Sequence, residues 1–150
     1  MAERFRRMML DGKPLSGIEI IDAHDHVGPY FNFPIHRGGC IEAMAERADT
    51  AGIGKMCIAA NAAIGPDMIW GNDETAEAVR KYPGRVFGYV TIKPCGEQEM
   101  EAELEKRFSQ KGFVGIKLHP GLHGVRVADA SYRPAMEYAD AHGLPVLIHT

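Results

Sequence analysis

The stretch IDAHDHVG, residues 21–28, holds two histidines one residue apart, with Asp22 two residues before the first and Asp25 between them. Side chains two apart on a strand share a face, so Asp22, His24 and His26 line up on one side of the strand that carries them. Imidazole nitrogen is a common ligand for Zn and also suits Fe, Ni and Cu. An isolated His-x-His is more often incidental than a metal site. This one closes an apolar run and is followed by Gly28-Pro29, and the simplest reading of His24 and His26 is a metal pincer. Two such nitrogens plus one from a neighbouring strand leave a coordination position open, where water can be bound and deprotonated.

Other apolar runs end in polar groups in the same way. KMCIAAN ends in Asn61, RVFGYVTIKP carries Lys93, GFVGIKLHP carries Lys117 and His119, and PVLIHT carries His149. Together with IEIIDAH at 18–24, these runs read as five strands at 18–24, 55–61, 85–94, 112–120 and 145–150. They are rich in Val, Ile and aromatic residues and mostly lack alternation, which is how strands covered on both faces read.

Segments of helical period lie between them. In 40–51 the apolar residues Ile41, Met44, Ala45 and Ala48 recur at helical spacing. A helix is expected over 73–82, stopping before Pro83-Gly84, and another over 97–110 with Met100, Leu104 and Phe108 as its stripe. In 132–142, Ser131 is placed to cap the start, Pro134 falls in the first turn and Gly143 marks the end. Residues 1–10, MAERFRRMML, read as a short amphipathic helix leading into the first strand. Strands alternating with single helices imply right-handed crossovers and a parallel sheet. No Gly-x-Gly-x-x-Gly follows the first strand, as a doubly wound dinucleotide fold would show. Polar residues instead collect at strand ends, where a (β/α)8 TIM barrel keeps its active site. The fold expected is therefore α/β, a TIM barrel of which this chain holds about the first five strands. It reads as one domain, 1–150, with 1–17 as an N-terminal extension.

The combination of IDAHDH, GFVGIKLHP and LPVLIHT resembles the amidohydrolase superfamily, in its amidohydrolase-related branch of TIM-barrel decarboxylases and lactonases. The resemblance runs from Ile18 to the last residue. It implies that His24 and His26 are first-strand metal ligands and that His149 is the fifth-strand ligand. Members complete the site with a histidine after strand six and an aspartate after strand eight, and neither has a counterpart in this sequence. A C-terminal portion of the barrel is thus expected to be missing, or supplied by a second chain. Alone, the 150-residue chain is expected to be inactive and to associate through unpaired edges, with Ile58, Val90 and Val146 exposed.

Lys117 is open to three roles: contact with a substrate carboxylate, pairing with Asp22 or another carboxylate, or, as in binuclear relatives, a carbamate that bridges two metals. His119 could touch substrate or metal, or serve as a hydrogen-bonded structural histidine. His36 and Arg37 stand in the long loop after strand one. Arg37 could clamp a carboxylate, and a solvated loop arginine is the plainer reading. His123 and Arg126 follow strand four with similar claims, and His142 suits a helix C-terminus.

Hydrophobic residues make up 45% of the chain and charged residues 25%, which is globular composition with no disordered signature. A net charge of -3 without a basic stripe gives no reason to expect a nucleic-acid partner. No apolar run is long enough for a bilayer. Cys40, Cys57 and Cys95 form no CxxC and suit reduced, core-packed thiols in a cytoplasmic protein. The function expected is a metal-dependent hydrolase, most simply with Zn, acting on a small-molecule C–N or C–O bond in a substrate that bears a carboxylate. The alternative is a metal-dependent decarboxylase of an unsaturated or aromatic acid. From a different class comes a non-catalytic half-barrel, whose metal, if structural, would need four protein ligands.

Overall fold

The computed structural model describes residues 2–32 and 34–150. Five strands form one sheet in chain order: β1 (Ile21–Val27), β2 (Lys55–Ala60), β3 (Val86–Thr91), β4 (Phe113–Leu118) and β5 (Val146–Ile148). Every neighbouring pair is parallel. The helices are α1 (Ala2–Leu10), α2 (Ile41–Ala51), α3 (Asn61–Ile64), α4 (Met68–Lys81), α5 (Glu97–Phe108), α6 (Pro120–His123) and α7 (Arg133–His142). Order and direction are those expected for the front of a TIM barrel.

The helix boundaries follow from local chemistry. α2 ends at Gly52, whose φ of 78° is left-handed. A Cβ there would stand 2.4 Å from the Leu15 carbonyl oxygen, so glycine is required on both counts. α4 starts at Met68, five residues before the expected start, because the Asp67 carboxylate accepts the Trp70 N–H and caps it. Before α7, Asp129 rather than Ser131 is the capping group. Its carboxylate accepts both the N–H and the hydroxyl of Ser131 at the head of a short 3-10 turn. Two short helices, α3 and α6, were not expected. Each turns the chain sharply at a strand end and so shapes the rim of the sheet.

The helical layer covers one face of the sheet. Met56, Ile58, Ala60 and Val86 pack with Ile41, Ala48, Ala63 and Val79 of α2, α3 and α4. Val90, Ile116 and Leu118 pack with Met100 and Leu104 of α5 and with Tyr132, Ala135 and Ala139. Ile58 and Val90, expected at an exposed barrel lining, are therefore fully buried, and of that trio only Val146 is partly open. Strand residues alternate between faces, and these two sit on the helix side.

The opposite face is concave, and two side-chain contacts measure its curvature. The Tyr89 hydroxyl on β3 donates to the Ala23 carbonyl on β1 at 2.9 Å, passing over β2. Lys117 Nζ on β4 stands 3.1 Å from His24 Nε2 on β1, passing over β2 and β3. In a flat sheet β1 and β4 would lie about 14 Å apart, three spacings of roughly 4.8 Å. Only a sheet rolled toward closure brings them into contact. The expectation of strands buried on both faces fails at β1 and β5 for the same reason: helices shield one face, and the concave face of both edge strands is open.

Where β2 ends, α4 takes over its pairing role. The fully buried Asn72 donates Nδ2–H to the Thr91 carbonyl and accepts the Thr91 N–H on Oδ1, each at 2.9 Å. A side-chain amide thus stands in for a missing strand neighbour at the end of β3. Asn72→Ala would leave a buried N–H and C=O unpaired, at a cost on the order of 3 kcal/mol. The melting temperature is expected to fall by about 2–4 °C for each kcal/mol, and an unchanged melting curve would refute this role. β1 and β5 each have a strand on one side only among the described residues. The 150-residue chain expressed alone is therefore expected to self-associate in light scattering, as exposed strand edges do. A monodisperse monomer with a cooperative transition would contradict it.

Candidate active site

β1 begins three residues later than expected, so His24 and His26 lie within the strand rather than at or beyond its end. The shift follows from pairing: Ile21 is the first residue in register with β2, opposite Lys55, and His26 pairs with Ala59. His26 lines a cavity of about 470 Å³ together with Asp25, Tyr30, Asn61, His119 and His149. Residues from the ends of β1, β2, β4 and β5 thus share one space on the open side of the rim.

His26 is oriented by its strand neighbour. Its Nδ1 lies 3.1 Å from the Ala59 carbonyl oxygen, an atom that can only accept, so the ring carries its proton on Nδ1. Nε2 is then left as a bare lone pair. Burial pushes the His26 pKa down to about 4, and the neighbouring charges of Lys117, His24 and His119 push the same way. The ring is neutral at ordinary pH, as ligation requires. A backbone carbonyl on one nitrogen with the other nitrogen free is how metal-binding histidines are held. His24 is also lowered, first by burial and then by Lys117 and His149.

Lys117 is fully buried, and burial lowers its pKa. Its observed partner is His24 Nε2 rather than Asp22. His119 accepts the Leu122 N–H on Nδ1 at 3.1 Å, capping α6, and its ring stacks on His149 with centroids 3.9 Å apart. His119 is thus a hydrogen-bonded histidine that also borders the cavity. His24 and His26 are neighbours, their ring centroids 5.0 Å apart. His149 lines the same cavity as His26, but among the described residues no three His, Cys, Asp or Glu side chains form the group that would hold a metal. The physical reason is local: Lys117 Nζ fills the space at His24 Nε2, and His149 lies flat against His119. The donor types and the protonation of His26 fit a divalent metal; the present rotamers engage Lys117 and His119 instead.

The remaining candidates separate clearly. Arg37 pairs with Glu46 at 2.8 Å on the surface and is the solvated loop arginine. Asn61 opens α3, and its Nδ2 donates to the Gly28 carbonyl at 2.8 Å, tying the loop after β1 to the end of β2. Lys93 Nζ donates to the Gly65 carbonyl at 2.5 Å. His142 lies in the last turn of α7, its Nδ1 2.8 Å from the Tyr138 carbonyl. The cysteines are not core residues: Cys40 and Cys57 are half-buried and Cys95 is exposed. Tyr89 and Tyr30 were missed. Tyr89 stands two residues before Thr91, the spacing that drew notice to Lys117 and His119.

His123 proves structural. Its Nε2 lies 3.3 Å from the Ile64 carbonyl and its Nδ1 2.5 Å from the Tyr132 hydroxyl. The carbonyl accepts from Nε2–H, so the tyrosine O–H donates to Nδ1. Burial holds the His123 pKa near 4, below its ordinary 6.5. A base whose folded pKa is depressed binds fewer protons folded than unfolded in between. Stability is therefore full above pH 6.5 and falls as pH drops toward 4. His123→Gln, which keeps both hydrogen-bonding ends and cannot be protonated, is expected to flatten the slope of stability against pH across that window. An unaltered slope would count against the assignment.

The amidohydrolase family model matches residues 21–150. No curated protein matches in sequence. Among solved structures, 5-carboxyvanillate decarboxylase from Novosphingobium aromaticivorans, complexed with manganese, superposes with a TM-score of 0.74 at 18% identity, over 91% of this chain and 52% of that one. A probable 2-pyrone-4,6-dicarboxylic acid hydrolase from Acinetobacter baumannii gives 0.61 at 15% identity, over 89% and 50%. The 4-oxalomesaconate hydratase of Rhodopseudomonas palustris gives 0.64 at 19% identity, over 87% and 52%. The chain spans about half the length of these structures, and its fold is the corresponding part of their barrels. With 130 consecutive residues matched out of 150, the chain belongs to the amidohydrolase family.

Proposed function

We propose that the protein to which these strands belong is a metal-dependent enzyme acting on a small carboxylic acid, with His24 and His26 as first-strand ligands of a divalent metal and His149 as the ligand from β5. The observation that carries this reading is His26, whose Nδ1–H is committed to Ala59 while a neutral Nε2 remains free. A bound divalent metal supplies Lewis acidity and lowers the pKa of water. This chain's residues supply the contacts around it. His26 presents its lone pair, and His119, whose Nδ1 is occupied by Leu122 N–H, offers an Nε2–H donor beside it. Lys117 contributes a buried amine next to His24, a point charge suited to a substrate carboxylate.

Hydrolysis of a C–N or C–O bond is the first reading of the reaction, since a metal-activated water needs only an adjacent carbonyl and a proton acceptor. Decarboxylation is the second. It is favoured by a structural neighbour whose name is that of a decarboxylase for an aromatic acid bound with manganese. In both readings the substrate is anionic, and the three neighbours above carry the names of enzymes acting on carboxylic acids. We take the strands to be the front part of one barrel domain, with the remaining ligands and the proton acceptor outside these residues.

Calorimetric titration of Mn²⁺ and Zn²⁺ tests the metal assignment. His26→Ala is expected to weaken binding by at least the roughly 10- to 100-fold that changes to the outer shell of such sites cost, and His24→Ala likewise. Binding unaffected by either substitution would remove the pincer. Assaying the full-length protein against a panel of carboxylates for CO₂ release and for hydrolysis products then separates the two reactions.

A further inference from the structure

Three large apolar side chains that a soluble surface would be expected to bury stand exposed around one groove: Phe31 at 75%, Trp70 at 57% and Leu122 at 42%. They come from three separate elements, the loop after β1, the first turn of α4 and helix α6. Single exposed apolar residues are ordinary, but a grouped set around a cavity marks a binding surface. The groove encloses about 280 Å³, and Pro29 and Pro66 help to wall it. Among the described residues no charged side chain lines it. The Nδ2 of Asn61 on its wall is already committed to the Gly28 carbonyl. Tyr30 and Phe31 stand with ring centroids 4.7 Å apart, inclined at 36°. Flat aromatic and proline walls suit an aryl ring.

The groove adjoins the histidine-lined cavity, Tyr30 and Asn61 contributing to the walls of both. It is also built on fixed backbone. A Cβ on Gly71 of α4 would lie 2.0 Å from the Ala63 backbone nitrogen, so α4 and α3 meet in direct backbone contact. Lys93 pins the Gly65 carbonyl from below. A ligand anchored by an anionic end beside His26 and His119 has this groove as its neighbouring apolar space, across Tyr30 and Asn61.

We propose that this groove is a specificity subsite that receives the aryl tail of an elongated carboxylic acid, with Trp70, Phe31 and Leu122 as its selecting residues. The proposal rests on the reading that the carboxylate end lies at the histidines. It goes beyond that reading by assigning a two-ended substrate, with an anionic head and an uncharged aromatic tail.

Trp70 is the only tryptophan among these 150 residues, and the emission lost in a Trp70→Phe variant isolates its signal, which reports occupancy of the groove without any turnover. The Mn²⁺-loaded protein is titrated with biphenyl-4-carboxylate, benzoate and 4-hydroxybiphenyl, following Trp70 emission and calorimetric heat in parallel. Biphenyl-4-carboxylate is expected to bind at least about tenfold more tightly than benzoate, from burial of the second ring, and to change Trp70 emission where benzoate does not. Leu122→Asp and Phe31→Ser, both at exposed positions with little effect on folding, are expected to bring the ratio of the two affinities close to one. Equal affinities in the unaltered protein, or a preference that survives both substitutions, would overturn the subsite. If 4-hydroxybiphenyl binds as tightly as the acid and still changes Trp70 emission, the two-ended substrate is overturned through its carboxylate head and the groove itself is not.

Discussion

The contact on which the rest depends is the one between Lys117 and His24, a strand-four amine meeting a strand-one imidazole across the concave face. It exists only because the sheet is rolled, and it states how far the roll has gone. With that curvature, residues far apart in sequence fall into one small volume: His24 and His26 from β1, Asn61 after β2, Lys117 and His119 from β4, His149 after β5. Without it the same side chains would be spread along a flat edge, each too distant from the next to share a ligand. The curvature has its own causes. Helices pack on one face alone, and the inner face carries small or polar groups at Ala59, Gly115 and Thr91. At Gly115 a Cβ would stand 2.7 Å from the Pro145 carbonyl oxygen, so the inner face has no room for a side chain there.

Burial then sets the chemistry. Removing water from the concave face disfavours charge, which is why His24, His26, His119 and Lys117 shift downward with desolvation as the leading cause. Neutral imidazoles beside a poorly solvated amine form a site short of negative charge and rich in lone pairs and donors. Such a site answers to a cation that accepts lone pairs and to an anion that accepts hydrogen bonds, the two partners of a metal-assisted reaction on a carboxylate.

Much of this was legible in the sequence, and the reason is periodicity. Apolar runs alternating with helical stripes fixed the β-α order, and the residues ending each run marked the rim. His24, His26, Lys117, His119 and His149 were found because each closes or follows an apolar run in the sequence. What escaped depended on contacts across the sheet. That Lys117 would meet His24 rather than Asp22, or that His149 would stack on His119, follows from curvature and rotamer, which carry no local signal. Ile58 and Val90 were misplaced because an unbroken apolar run does not say which residue faces helix and which faces lumen. Asp67 and Asp129 are ordinary capping residues that could have been read as such, whereas Ser131 lies one residue before the N-cap position of α7, which Tyr132 occupies.

The central claim is that the free Nε2 of His26 is a metal-binding atom. Anomalous diffraction from crystals of the full-length protein soaked in Mn²⁺ tests it most directly. The account predicts a manganese peak at roughly 2.1 Å, an ordinary metal–nitrogen bond length, from His26 Nε2, with Lys117 displaced from His24. Full manganese occupancy elsewhere, with the Lys117–His24 contact intact and nothing bound at His26, would contradict it.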